Sequence, residues 1–186
     1  MIGTMRYKIL LMGDPYVGKT TLRERFMGKK VADRYEMTIG VDISEKTMEF
    51  GNYRVKLHIF DIAGQKRFEY LHDLFFLGSN GGLMVFDVTN PNSFKRSILW
   101  IKRYWSLLGP RKPVVLIANK VDLKDKRVVM REHIEEFVKA LSEKCKCEIP
   151  YFETSALQGI NVEDAFYKLI KLIIKYEMKI DIKLDL

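Results

Sequence analysis

The stretch Gly13-Asp14-Pro15-Tyr16-Val17-Gly18-Lys19-Thr20 decides the fold, because it matches the pattern G-x-x-x-x-G-K-S/T. The mostly apolar run 7–12 directly before it supplies the strand that such a loop needs. The two glycines let the backbone curl so that consecutive N–H groups point at phosphate oxygens, and the following helix directs its positive end toward them. Lys19 adds a full charge, so the stretch predicts a loop that binds nucleotide phosphates.

The rest of the chain alternates between strand and helix patterns. Apolar runs predict parallel strands at 7–12, 54–60, 82–88, 114–118 and 149–154, separated by helical patterns at 18–27, 92–108, 131–144 and 162–176. An extra run at 41–50 meets Tyr53 through Gly51-Asn52, a two-residue hairpin signal that predicts an antiparallel pair. The sequence therefore predicts a three-layer α/β/α domain with a six-stranded mixed sheet, five strands parallel and one antiparallel.

The end of the chain has a different pattern from the helix before it. Residues 178–186 alternate between apolar and polar side chains with a period of two. Two interpretations stay open, a frayed terminus or a strand that adds to a sheet edge. We place one domain at 1–177 and a separate tail at 178–186.

Composition and charge limit the class of protein. The chain has 186 residues, of which 47% are hydrophobic, enough for one domain with a substantial core. We expect a cytoplasmic protein, because the sequence shows neither a membrane-spanning run nor a signal peptide. The net charge is +8, but the basic residues are spread along the chain, which favours a solvated face over a nucleic-acid site. A patch that meets acidic partners or lipid headgroups is the alternative.

Two downstream elements, Thr38 and the stretch from Asp61 to Gln65, add a metal site and a hydrolytic site to the phosphate loop. Thr20 offers a hydroxyl to Mg²⁺, and Thr38 can reach the same ion when a γ-phosphate holds its loop closed. Asp61 follows a strand and can hold the metal through water. The N–H of Gly64 can reach the γ-phosphate, and Gln65 can orient the attacking water.

The stretch Asn119-Lys120-Val121-Asp122 supplies the chemistry that reads a base. The carboxylate of Asp122 can accept hydrogen bonds from N1–H and the 2-amino group of guanine, a donor pair that adenine lacks. Lys120 can lay its aliphatic stem against the purine, and the N–H of Ala156 can donate to guanine O6. The order of these elements behind the phosphate loop predicts a guanine-nucleotide site.

With these motifs in place, the chain resembles the Ras superfamily of small GTPases, and within it the Rab branch. Ile39-Gly40-Val41-Asp42-Ile43, Phe75-Phe76-Leu77-Gly78 and Met84-Val85-Phe86-Asp87-Val88-Thr89 approach Rab-type segments. The resemblance implies a P-loop G domain that binds GTP or GDP with Mg²⁺ and acts as a signalling switch of the kind used in vesicle trafficking. It also implies exchange factors, GTPase-activating proteins, and effectors that bind 38–43 and 60–76.

The motifs and the resemblance together define the expected site. Catalysis is expected from Gln65, Lys19 and Thr38, and metal binding from Thr20, Thr38 and Asp61. The residues expected to contact the guanine nucleotide are Asp14, Tyr16, Val17, Gly18, Lys19, Thr20, Thr21, Tyr35, Thr38, Gly64, Asn119, Lys120, Asp122, Ser155, Ala156 and Leu157.

The chain departs from the family pattern inside the phosphate loop. Pro15 and Tyr16 stand where relatives usually carry small residues, and proline has no N–H to donate. We expect phosphate binding to survive. A ring at position 15 is expected to crowd an arginine supplied by an activating protein, a group worth ~10³ to 10⁵ in rate. The sequence thus predicts slow intrinsic hydrolysis and an unusual or absent arginine-finger mechanism.

Other departures concern the base, the effectors and the membrane. Val31 and Leu157 replace a usual phenylalanine and lysine, so nucleotide affinity is expected to fall while guanine specificity holds. Ile43 and Phe60 replace a usual phenylalanine and tryptophan, so typical Rab effectors are expected to fit less well. No cysteine follows Cys147, so we expect no direct lipid anchor and recruitment to membranes only through partners. We also expect a monomer.

Two rival functions stay open at this point. The loop residues Pro15 and Tyr16 also fit a guanine-nucleotide module that signals by binding, with negligible turnover. An ATP-using P-loop enzyme conflicts with Asp122. The two cysteines, Cys145 and Cys147, are expected to be unpaired thiols near a helix end.

Overall fold

The computed structural model describes residues 3–29, 38–65 and 69–178. A sheet of six strands crosses this part of the molecule in the order β2-β3-β1-β4-β5-β6. The hairpin β2–β3 is antiparallel and every other neighbouring pair is parallel, which confirms the predicted mixed sheet. The strands are β1 Thr4–Met12, β2 Val41–Phe50, β3 Tyr53–Ile62, β4 Gly81–Asp87, β5 Val114–Asn119 and β6 Tyr151–Thr154.

Helices cover both faces of the sheet, as the alternating pattern predicts. Their bounds are α1 Lys19–Phe26, α2 Glu69–Phe76, α3 Pro91–Leu108, α4 Arg131–Cys145 and α5 Val162–Met178. Because neighbouring side chains of a strand point to opposite faces, β1 sends Ile9 and Leu11 into the core under α1 and α5. Leu10 and Met12 enter the second core, under α2, α3 and α4.

The hairpin has the register that its turn residues predict. Phe50 lies opposite Tyr53, which leaves Gly51 and Asn52 as the two-residue connection. Gly51 has φ of 57°, a conformation that glycine adopts without steric cost. The pairing continues to Val41 opposite Ile62, so β2 runs as an edge strand along the whole of β3.

Parallel strands place the predicted functional loops at one edge of the sheet. The phosphate loop follows β1, the stretch 61–65 begins at the end of β3, and the base-reading stretches follow β5 and β6. The carboxyl ends of parallel strands meet at the same edge, and ligands of open α/β sheets bind there. The fold therefore brings four separate segments of sequence to one site.

The structure differs from the expectations in two places. Helix α2 was missed, because its eight residues make only two turns and give a weak periodic signal. The expectation of unpaired thiols is wrong, since Cys145 and Cys147 form a disulfide. The left-handed conformation of Lys146, the C-cap of α4, turns the chain and brings the two Cα atoms within 5.3 Å.

Some expectations fall on residues that the structure does not describe. Val31, Tyr35 and the tail beyond Met178 lie outside the described residues. Among the helices that the structure does describe, none is long and apolar enough to span a membrane.

Candidate functional site

The phosphate loop turns sharply between β1 and α1. Gly13 has φ of 137° and Gly18 has φ of 98°, both in the region that favours glycine. A Cβ on Gly13 would lie 2.1 Å from the carbonyl oxygen of Val85, and one on Gly18 would lie 2.3 Å from Nδ2 of Asn119. Both positions therefore require glycine for conformation and for space. Tyr16 also has a positive φ, of 66°, and its side chain is 59% exposed.

Lys19 is held at the centre of this loop. Its ammonium is buried and donates to the carbonyl oxygens of Gly13 and Asp14, both at 2.8 Å. Burial lowers the pKa of Lys19 to about 8, and the charges of Asp61 and Asp14 oppose that shift. The cation that would meet phosphate is thus already placed, at a cost in desolvation.

The three residues expected to hold a metal come together beside Lys19. The Thr20 hydroxyl donates to Oδ2 of Asp61 at 2.6 Å and lies 2.9 Å from the Thr38 hydroxyl. Asp61 is fully buried, and its Oδ1 has no hydrogen-bond partner among the described residues. Burial raises the pKa of this carboxyl, while Thr20, Lys19 and Arg23 oppose the rise. Two hydroxyls and an unsatisfied carboxylate oxygen are hard oxygen donors, so the set fits Mg²⁺.

The segment after β3 closes against the loop. A Cβ on Gly64 would lie 2.4 Å from the carbonyl oxygen of Gly13, so only glycine allows this approach. The Oε1 atom of Gln65 is buried without a hydrogen-bond partner in the described part of the chain. Gln65 lines a small cleft together with Pro15, Tyr16, Gly18, Lys19, Thr20, Thr21, Thr38, Ile62, Ala63 and Gly64.

The base-reading stretches lie on the other side of the loop. Asn119 is buried, and its Nδ2 donates to the carbonyl oxygen of Val17 at 2.9 Å. Its Oδ1 accepts from the Thr154 hydroxyl and from the N–H of Ala156, each at 3.0 Å. In this arrangement the N–H predicted to meet guanine O6 is already engaged, so a contact to the base would share or replace that bond.

Lys120 and Asp122 follow directly after the end of β5. Lys120 has φ of 69°, and its ammonium lies 2.7 Å from Oδ2 of Asp87. Asp122 is half-buried in the turn after β5. Ser155 is buried at the end of β6, whereas Leu157 is exposed. The structure thus gathers every predicted site residue that it describes at one edge, and Tyr35 alone of the predicted set lies outside the described residues.

Several charged residues of the site were not found from the sequence. Arg25 donates to the carbonyl oxygen of Ala156 at 3.2 Å and to that of Leu157, so it fixes the loop after β6. Arg23 lies buried next to Asp61. Arg23 stands four residues after Lys19, one helical turn along the same face, and this spacing was the signal available.

A second group of residues that was not predicted from the sequence contacts the phosphate loop from α3. Oδ2 of Asp14 accepts from Arg96 at 2.5 Å, and Oδ1 accepts from the Trp100 indole at 3.1 Å. The ring of His72 lies 4.6 Å from that of Trp100. These side chains border a cavity of about 280 Å³ between α2 and α3, larger than the cleft that holds Lys19. We take the smaller cleft as the candidate site, because it is lined by Lys19, Thr20 and Thr38, which are expected to bind phosphate and metal.

Fold and geometry are those of a P-loop nucleotide-binding protein, and the comparisons agree. The model of the Ras family matches residues 8–175. Ras-related protein Rab7 of Drosophila melanogaster is 36% identical, over 94% of this chain and 84% of the relative. GTP-binding protein YPT1 of Saccharomyces cerevisiae is 40% identical, over 90% and 78%. Ras-related protein Rab-7a of Dictyostelium discoideum is 35% identical, over 91% and 83%.

The chain belongs to the Ras family. It is a Rab-like small GTPase, a guanine-nucleotide switch that interacts with regulators and effectors. The resemblance seen in the sequence is thereby confirmed.

Burial of Lys19 predicts a pH dependence of stability. Its pKa is about 8 in the folded protein, against ~10.4 in an unfolded chain. Between about pH 8 and pH ~10.4 the unfolded chain binds more protons than the folded protein. The free energy of unfolding of the nucleotide-free protein should therefore rise with pH in this range. The contribution reaches at most ~1.4 kcal/mol per pH unit. Lys19→Met should lack it, which urea unfolding at pH 7 to 10 measures.

Lys126→Met is the matched control, because Lys126 is exposed in the short 3-10 turn Lys124–Lys126. It should keep the pH profile of the wild type. Parallel profiles for the wild type and Lys19→Met would contradict the prediction.

Proposed function

We propose that the chain binds GTP and GDP together with Mg²⁺ through the residues gathered at the edge of the sheet. The packing of the base-reading loop onto the phosphate loop through Asn119 carries this proposal, since it joins both halves of a nucleotide site. Backbone N–H groups of the loop and the Lys19 ammonium would bind the phosphates. Thr20, Thr38 and Asp61 would hold Mg²⁺, which when bound neutralises charge on the phosphates.

Guanine specificity is proposed to come from Asp122. Its carboxylate would accept two hydrogen bonds from the Watson–Crick edge of guanine, while the stem of Lys120 packs on the purine face. The contact between Lys120 and Asp87 supports this role, because it holds the long side chain in one position at the end of β5.

Hydrolysis is proposed to depend on Gln65. The buried Oε1 of Gln65 has no partner in the described residues, and a water at the γ-phosphate would satisfy it. Gln65 would orient that water by hydrogen bonding, while Lys19 and the loop N–H groups stabilise the charge that develops on the phosphoryl oxygens.

The surface beside the site is proposed to bind effectors and regulators. Ile39, Ile43, Leu74 and Leu77 are exposed large hydrophobic residues in or next to 38–43 and 60–76. Exposed apolar residues in segments that border a ligand site favour a protein interaction surface. We further propose a cytoplasmic monomer that reaches membranes through such partners.

Replacing Asp122 should change the base that the protein selects. Asp122→Asn keeps one acceptor and gains one donor, which mismatches guanine and matches the N1–H and C2 carbonyl of xanthine. Affinity for GDP should fall about a hundredfold or more, and xanthosine diphosphate should bind more tightly than GDP. Competition with a fluorescent nucleotide measures both. Asp125→Asn, at an exposed neighbouring carboxylate, is the control and should bind like the wild type.

Replacing Gln65 should slow hydrolysis without weakening binding. In Gln65→Leu the water loses its orienting hydrogen bond, so single-turnover phosphate release from bound GTP should fall about tenfold or more. Affinity for GDP should stay within a few fold. Gln158→Leu removes the other glutamine of the chain, which is exposed, and should hydrolyse like the wild type. An unchanged rate in Gln65→Leu would remove Gln65 from the mechanism.

Pro15 should limit acceleration by an activating protein that supplies an arginine. The Pro15 ring lines the cleft next to Gln65, the place where an inserted arginine would approach the phosphate. A Rab-type activating protein should accelerate the wild type by far less than ~10³, and Pro15→Gly should restore at least tenfold of the missing acceleration. Phosphate release with added activator measures this. Full acceleration of the wild type would show that the ring is no obstacle.

A further inference from the structure

Arg23 places a permanent positive charge inside the candidate metal site. The side chain lies on α1 and is only 3% exposed. One guanidinium nitrogen contacts Oδ2 of Asp42 and lies 3.9 Å from Oδ2 of Asp61. Its Nε is buried and has no hydrogen-bond partner among the described residues. Guanidinium does not lose its proton in proteins, so this charge is present at every physiological pH.

The register of the hairpin explains why a cation is needed there. Asp42 lies directly opposite Asp61 in the β2–β3 ladder. Like charges facing each other across two strands are destabilising. The charge of Asp42 raises the pKa of the Asp61 carboxyl, and the charge of Arg23 lowers it. Arg23 is therefore the counter-cation of two facing carboxylates.

The same guanidinium competes with a metal for Asp61. In the proposed magnesium site, Asp61 is the single carboxylate and the other protein donors are the hydroxyls of Thr20 and Thr38. A fixed cation close to one oxygen of that carboxylate reduces the negative potential that attracts Mg²⁺. It also offsets the repulsion between these carboxylates and nucleotide phosphates when no metal is present.

We propose that Arg23 is a positioning residue that lowers the dependence of nucleotide retention on Mg²⁺, by acting as a resident cation between Asp42 and Asp61. The inference rests on the proposed Mg²⁺-dependent function. It assigns to Arg23 no contact with the reacting atoms. Its consequence is that, when no metal is bound, the protein releases nucleotide more slowly than it would with a neutral side chain at position 23.

The ion pair can be removed by replacing either Arg23 or Asp42, and the two replacements leave opposite net charges at the site. Arg23→Leu leaves both carboxylates uncompensated, so half-maximal protection of nucleotide should need about threefold less Mg²⁺ or lower, and chelation should accelerate release more than in the wild type. Asp42→Asn leaves the cation in excess, so protection should need about threefold more Mg²⁺ or higher. Release of a fluorescent GDP against free Mg²⁺ measures both, and the thermal midpoint of the GDP-bound protein against Mg²⁺ gives a second readout.

Opposite shifts in the two variants support the inference, and Arg23→Lys, which keeps the charge, should lie closer to the wild type than Arg23→Leu. If the ion pair is purely structural, both variants should instead need more Mg²⁺ to retain nucleotide. That result would overturn this inference but leave the proposed magnesium site intact. If the rate of GDP release from the wild type and both variants does not depend on Mg²⁺, the inference and the proposed magnesium site both fail. Should Arg23→Leu not fold, Arg23→Gln takes its place, because it removes the charge but keeps a polar side chain. It should likewise need less Mg²⁺ than the wild type, and a higher requirement would overturn the inference.

Discussion

The side-chain amide of Asn119 holds together the loops that form the site. Its nitrogen binds the phosphate loop at Val17, and its oxygen receives Thr154 and Ala156 from the segment after β6. These partners are 102, 35 and 37 residues away in the chain. The amide also lies against Gly18 so closely that no Cβ fits there. One buried group with three satisfied hydrogen bonds thus holds the loop after β1 and the segment after β6 at a fixed distance from each other.

A few buried polar atoms of the described residues lack hydrogen-bond partners. Three buried side-chain atoms have no hydrogen-bond partner there: Nε of Arg23, Oδ1 of Asp61 and Oε1 of Gln65. An unpaired buried polar atom costs about 1 to 3 kcal/mol, so a protein keeps few of them. All three belong to the candidate site. Their concentration there is expected if a nucleotide, a metal and water complete the hydrogen bonding.

The parts of the structure that depend on local sequence patterns could be predicted from the sequence. The glycines of the phosphate loop, the Gly51 turn and the alternation of strand and helix each reflect backbone geometry or periodicity. The spacing from Lys19 could place Arg23 on the site face of α1, but its position between two carboxylates could not be predicted, since only the hairpin pairing places Asp42 opposite Asp61. The disulfide was not predicted because the left-handed turn that precedes it is made by Lys146, and no glycine marks that turn in the sequence.

The attachment of the phosphate loop explains why it tolerates unusual residues in the middle. On one side Val17 and Gly18 are fixed by Asn119, and on the other Asp14 is fixed by side chains of α3. Pro15 and Tyr16 lie between these attachment points. Proline fits because its locked φ and missing N–H remove no contact that holds the loop at either side. The loop can therefore keep its shape while the residues on its outer surface change.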